Sequence, residues 1–141
     1  MLDSELIEVL FKAEGKERYA YQDINGYWTI GVGRCIDKRC ANGLSDNEIK
    51  YLLNNDIQRC KAELLHYPFY VIETNPVRID ALLELNFAMG LPKFLSFKKM
   101  LSAWLKGDYN EAASQLLDSN WARLLPVRAK GIAERIRNGH Y

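Results

Sequence analysis

The dipeptide Asn25-Gly26 constrains this chain more than any other feature. Tyr19 and Tyr21 precede it, and Tyr27, Trp28, Thr29 and Ile30 follow. Asn-Gly between runs of aromatic and β-branched residues is the strongest short-range signal for a hairpin. Upstream, residues 4–14 (SELIEVLFKAE) place Leu6, Ile7, Leu10 and Phe11 on one helical face. Gly15 is a natural residue to end that helix. The stretch Glu14 to Gly33 therefore predicts a helix ending near Glu14, then a hairpin that brings Asp23 and Thr29 together.

This arrangement has chemical content. Glu14 falls in the last helical turn, where the macrodipole is negative and disfavours an ionised carboxylate. A carboxyl that keeps its proton suits general acid catalysis. Position alone also fits a solvated Glu at a frayed helix end. The stretch from Glu14 to Thr29 resembles the catalytic stretch of a glycoside hydrolase family, and hydrolysing a glycoside needs an acid for the leaving oxygen and a carboxylate across the sugar. Glu14 is the candidate acid and Asp23 the second carboxylate. The Thr29 hydroxyl can donate and accept, so it can hold a water against Asp23. This constellation predicts attack by water with inversion at the anomeric carbon.

The string EG-x7-D-x5-T, closed by YWTIGVG, resembles the catalytic stretch of phage-type lysozymes, glycoside hydrolase family 24. The resemblance continues through residues 81–90 (ALLELNFAMG), 111–113 (EAA), Trp121 and 126–130 (PVRAK), and covers nearly all the chain outside 36–44. It implies catalytic roles for Glu14, Asp23 and Thr29, and it matches Arg128 to a family Arg that pairs with the catalytic Glu. Phe87 matches an aromatic on the cleft side of the central helix, although core packing is an equal reading. Cys35 and Gln115 fall where relatives touch saccharide. Relatives can have His where Arg34 stands, so a buried His–carboxylate pair does not carry over.

At 141 residues the chain predicts one domain with a sizeable core. Its net charge of +1 is unevenly spread, with −4 over residues 1–90 and +5 over 91–141. A basic second half suits an acidic polymer such as peptidoglycan, or equally an evenly solvated surface. Three cysteines exclude a complete disulfide framework. Cys35 and Cys40 are close enough in sequence to pair if their loop allows, whereas Cys60 reads as a small buried apolar side chain. Without a CxxC pattern, and with only His66 and His140, a zinc amidase is not expected, nor any metal or cofactor.

Along the rest of the chain, Arg34 to Gly43 predicts a loop. Ser45-Asp46-Asn47-Glu48 fits a capping box that opens a helix of about twenty residues, roughly 30 Å long. Ile49, Leu52, Leu53, Ile57, Cys60 and Leu64 share one face of it. Residues 66–75 read as a connection. Asn75-Pro76 starts a buried central helix over 76–89, stopped by Gly90-Leu91-Pro92. Helices over 96–106, 109–117 and 127–138 follow, with a turn at Trp121. The expected fold is α+β, lysozyme-like. A small antiparallel β lobe at about 15–35 is joined by the 45–64 helix to a helical lobe at about 65–141, with a cleft between.

Other classes fit less well. A silent wall-binding or tail-associated module would not need all three catalytic residues. A Cys/His peptidase lacks a cysteine in an activating setting. Nucleic-acid binding has neither a helix-turn-helix signature nor an aromatic-basic platform. A lytic transglycosylase remains the nearest alternative chemistry. No run of 18 apolar residues predicts stable membrane insertion, and MLDSELIEVLF lacks a secretory signal pattern. An endolysin of this kind is expected to be a monomer that accumulates in the host cytoplasm. It would reach peptidoglycan in the periplasm through a holin-type membrane lesion.

Overall fold

A computed structural model describes residues 3–41 and 43–141. Asn42, within the expected 36–44 loop, lies outside the described residues, as do positions 1 and 2. The chain divides into two compact units, Met1–Leu52 and Leu53–Tyr141. A small antiparallel sheet in the first and a mainly helical second unit give the α+β, lysozyme-like architecture.

The first unit opens with α1 (Ser4–Glu14), closed by the Gly15 amide on the Phe11 carbonyl. Strands β1 (Glu17–Gln22), β2 (Trp28–Gly31) and β3 (Arg34–Cys35) form an antiparallel sheet in the order β1-β2-β3. The β1–β2 register is irregular. It runs from Glu17↔Gly31 to Tyr21↔Thr29, so β1 carries extra residues against β2. Helix α2 (Asp46–Leu64) begins with the complete reciprocal capping box. The Ser45 amide donates to Glu48 Oε1 (2.8 Å), and the Glu48 amide donates to Ser45 Oγ (3.2 Å). The division between units falls inside α2.

The apolar stripe expected on α1 is present but not buried, with Leu6, Ile7 and Leu10 all exposed. On α2 only Cys60 and Leu64 are buried, while Ile49, Leu52 and Leu53 are exposed. Among the described residues of the first unit, Thr29 alone is buried. A unit of about fifty residues has too little interior to enclose two amphipathic helix faces as well as a sheet.

The second unit contains the core. Its helices are α3 (Pro68–Val71), α4 (Pro76–Met89), α5 (Leu91–Leu95), α6 (Lys98–Leu105), α7 (Tyr109–Leu117), α8 (Asn120–Leu124) and α9 (Pro126–Asn138). Leu64, Leu82, Leu85, Phe94, Met100, Trp104, Leu116, Ile132 and Ile136 are its most buried large side chains. Two short helices replace segments expected as connections. Pro68 and Pro92 each sit at the start of a helix, where the missing amide costs nothing and the fixed φ is already helical. The helix expected over 96–106 begins only at Lys98, since Ser96 closes α5.

Asn75 caps α4 as expected, accepting from the amides of Val77 (2.9 Å) and Arg78 (3.1 Å). Arg78 then ties α4 to the end of α9. Its Nε donates to the Ile136 carbonyl (2.7 Å), its Nη2 to the Arg137 carbonyl (2.9 Å), and it stacks 3.7 Å from the Tyr109 ring centroid. These are last-turn carbonyls that a helix leaves open. Arg78→Ala should therefore destabilise the protein by about 2–4 kcal/mol, from lost charge-assisted bonds and a cation–π contact. Urea unfolding checks this, and a loss below about 0.5 kcal/mol, the scale of an ordinary surface substitution, would contradict it.

Candidate active site

The first unit gathers the three residues of the sequence motif around its sheet. Asp23 follows β1 directly and holds its own turn closed. Its Oδ1 accepts from the amides of Asn25 (2.8 Å) and Tyr27 (2.9 Å), and its carbonyl accepts from the Gly26 amide (2.9 Å). The Asp23 amide donates to the Tyr27 carbonyl (2.9 Å). Gly26 takes the positive φ of 79° and Asn25 does not. The hairpin is thus a three-residue loop with Gly in the left-handed position, not a two-residue Asn-Gly turn. Since Oδ1 is committed to two amides, Oδ2 is the oxygen left for a ligand or water.

Thr29 lies in β2, opposite Tyr21 on one side and Cys35 of β3 on the other. It is 4 % exposed, and its Oγ1 donates to the Tyr27 carbonyl (2.9 Å). With its proton committed, Oγ1 faces any further partner as an acceptor. Tyr27 thereby connects the two groups, through its amide to Asp23 and through its carbonyl to Thr29.

Glu14 closes α1, exposed, with its carboxyl against the β2–β3 turn. A Cβ at Gly33 would stand 2.9 Å from Glu14 Oε2 and 3.3 Å from its Cδ. Only glycine leaves that space, and Gly33 also has a φ of 63°. In the sequence Gly33 reads only as the end of a motif, and this role is missed there. The signal was the second glycine of TIGVG. Gly33→Ala should displace the Glu14 carboxyl and lower turnover about ten- to a hundredfold, because small misplacements of a catalytic group are costly. Gly31→Ala is the control. Gly31 has a similar φ of 69°, but nothing stands within 4 Å of its Cβ position. Comparable turnover in the two folded variants would show that backbone strain, not crowding of Glu14, is responsible.

Arg34 pairs with Glu48, its Nη2 donating to Oε1 at 2.8 Å. The hydrogen bonds from Arg34 hold the Glu48 carboxyl down at about 2. Arg34 thus has a partner of its own in the first unit. Cys35 and Cys40 form a disulfide, and Cys60 is free and buried. The Cys35 sulfur is therefore committed to the disulfide and is not a free thiol.

The remaining predicted residues belong to the second unit. Arg128, on α9, donates from Nε to Glu84 Oε2 (2.9 Å), and Arg135 donates to the other oxygen of the same carboxylate. Burial works to raise the Glu84 carboxyl, but the two guanidinium hydrogen bonds outweigh it and hold it below the usual range. Arg128 is gripped by one edge of its guanidinium. Phe87 is 44 % exposed rather than in the core, and it lines a cavity of about 350 Å3 with Leu53, Ile57, Leu83, Glu84 and Arg135. Gln115 donates to Glu111 Oε1 (2.7 Å) and borders a shallow groove of about 410 Å3 with Phe97, Lys98 and Lys99. Among the described residues, no group of three or more His, Cys, Asp or Glu is placed to hold a metal ion.

Comparison with known proteins identifies the family. The family model described as Phage lysozyme matches residues 11–138. "Probable T4-type lysozyme 1" of Dictyostelium discoideum is 28 % identical over 96 % of this chain and 95 % of its own length. "Probable T4-type lysozyme 2" of the same organism is 26 % identical with the same coverage. The "Pre-baseplate central spike protein Gp5" of Enterobacteria phage T4 is 25 % identical over 96 % of this chain, which corresponds to 28 % of the spike protein. With the motif residues in one unit and a family match running from Phe11 to Asn138, this chain belongs to the phage lysozyme family of hydrolases.

Proposed function

We propose that this chain is a muramidase of glycoside hydrolase family 24. It would hydrolyse the β-1,4 bond between N-acetylmuramic acid and N-acetylglucosamine in peptidoglycan, with inversion. The observation that carries this reading is the orientation of Asp23. Two amides of its own turn fix one carboxylate oxygen, and the same turn residue, Tyr27, fixes Thr29. Glu14 gives its proton to the leaving glycosidic oxygen. A water held by Asp23 Oδ2 and Thr29 Oγ1 attacks the anomeric carbon from the other face and gives its proton to Asp23. By its family resemblance Arg128, whose Nε is held by Glu84, supports the catalytic acid. By the same resemblance Phe87, Gln115 and Cys35 contribute to saccharide binding. The enzyme works as a monomer without metal or cofactor. In a phage setting it acts on the wall after a separate membrane lesion admits it to the periplasm.

The test is mass spectrometry of muropeptides released from purified peptidoglycan. Products with free reducing ends support hydrolysis. 1,6-Anhydro products would replace it with a lytic transglycosylase. A second reading, a lysozyme domain used in a phage tail, is favoured by the match to the spike protein. Infecting particles that carry the chain would favour entry over lysis as its role.

A further inference from the structure

We propose that the Cys35–Cys40 loop is a brace for the Asp23 turn, with Arg39 as a positioning residue and the disulfide as a redox-sensitive clasp. The inference rests on the reading of Asp23 and Thr29 as the pair that holds the attacking water.

The loop grips the three residues between them. Arg39 Nη2 donates to the Gly26 carbonyl (3.1 Å), and the guanidinium lies 4.6 Å from the Tyr27 ring centroid. Asp37 Oδ2 accepts from the Trp28 amide (3.3 Å), and the Ile36 amide donates to the Trp28 carbonyl (2.9 Å). Gly26, Tyr27 and Trp28 are thus held by carbonyl, ring and backbone in turn. Tyr27 matters most, because its amide orients Asp23 and its carbonyl orients Thr29.

The grip is assembled on Asp37. Its side chain is 9 % exposed and takes the Arg39 amide (2.9 Å), Nε (2.9 Å) and Nη2 (2.7 Å). These bonds hold the Asp37 carboxyl well below the usual carboxylate range. The Asp37 carbonyl in turn accepts from the amides of Cys40 and Ala41, both at 3.1 Å. Arg39 itself is 58 % exposed, and an exposed ion pair orders a loop only weakly on its own. The disulfide supplies the missing constraint. It fastens Cys40 to Cys35, the residue that faces Thr29 across the sheet. Closing it needs an oxidant such as a small-molecule disulfide. One loop thiolate attacks that disulfide and expels a thiol. The second loop thiolate then displaces the other thiol, so two cysteines are oxidised as one disulfide is reduced.

The experiment uses the full chain, with thiol titration to confirm the clasp open or closed. Amide hydrogen exchange at Asn25 and Tyr27 is measured alongside kcat and KM on soluble peptidoglycan fragments. Reduction and Arg39→Ala should each speed exchange at both amides. Each should also lower kcat about tenfold or more with KM little changed, as expected for a misplaced catalytic group. Arg39→Lys keeps the charge without the fork and should recover only part. Reducing the Arg39→Ala variant should add little, because both changes act through one loop. Unchanged exchange at Asn25 and Tyr27 on reduction and in Arg39→Ala overturns the brace, as does a lower melting temperature with kcat intact. If exchange responds as expected but the oxidised wild type does not cleave the glycan, the brace stands and the muramidase reading falls.

Discussion

Glu14→Gln should lower turnover on peptidoglycan by about 10²–10⁴-fold, the usual contribution of a general acid, while the melting temperature stays close to wild type. The amide is nearly isosteric with the acid, and it fills the space that Gly33 leaves open without crowding it. It cannot give a proton to the leaving oxygen. Glu14 is exposed and lies outside the hydrophobic core, so the substitution removes no packing. The measurement is turbidity loss of permeabilised Gram-negative cells together with release of reducing ends by the purified variant. Near wild-type lysis by the folded Glu14→Gln variant would remove Glu14 from the mechanism. It would leave Asp23, through its free Oδ2, as the remaining motif carboxyl to test as a proton donor.

The second large effect is stereochemical. The first product of cleaving a β-linked saccharide should be the α-anomer. Water needs room between Asp23 and the sugar, so the Glu14 and Asp23 carboxyls should stand about 6.5–9.5 Å apart, the inverting range. Thr29 cannot become a covalent nucleophile of the carboxylate kind, and because its hydroxyl donates to the Tyr27 carbonyl, its Oγ1 would meet that water as an acceptor. Thr29→Glu would bring a carboxylate near the anomeric carbon, and should trap a covalent glycosyl adduct or divert the reaction towards retention. Proton NMR of the nascent reducing end, recorded before mutarotation, reads the outcome directly. Intact-protein mass detects the adduct. A β-anomer from the wild type would mean that a protein carboxylate attacks the sugar, and the roles of Asp23 and Thr29 would have to be exchanged for that chemistry.

The amino-acid sequence by itself determined the local elements. Asn25-Gly26 between aromatic and β-branched runs can do little but turn a hairpin. Ser45 with Glu48, and Asn75 with Pro76, mark helix starts by satisfying amides that a helix leaves open. The spacing of Glu14, Asp23 and Thr29 was equally legible, because all three sit within one helix–hairpin stretch. What only the tertiary structure decided lies between segments. Periodicity marked α1 and the first half of α2 as amphipathic, yet neither buries a residue there, since burial depends on the partner surface and not on the stripe. The short helices at Pro68 and Pro92 were hidden because proline reads as a stop until its neighbours show it to be a start. Gly33 under Glu14 and Arg39 against Gly26 and Tyr27 are contacts across turns. Glu84 between Arg128 and Arg135 is a contact between helices more than forty positions apart in the chain. Propensity and capping act over a few residues and are written locally. Which carboxylate meets which guanidinium is fixed only when packing brings distant side chains within hydrogen-bond reach.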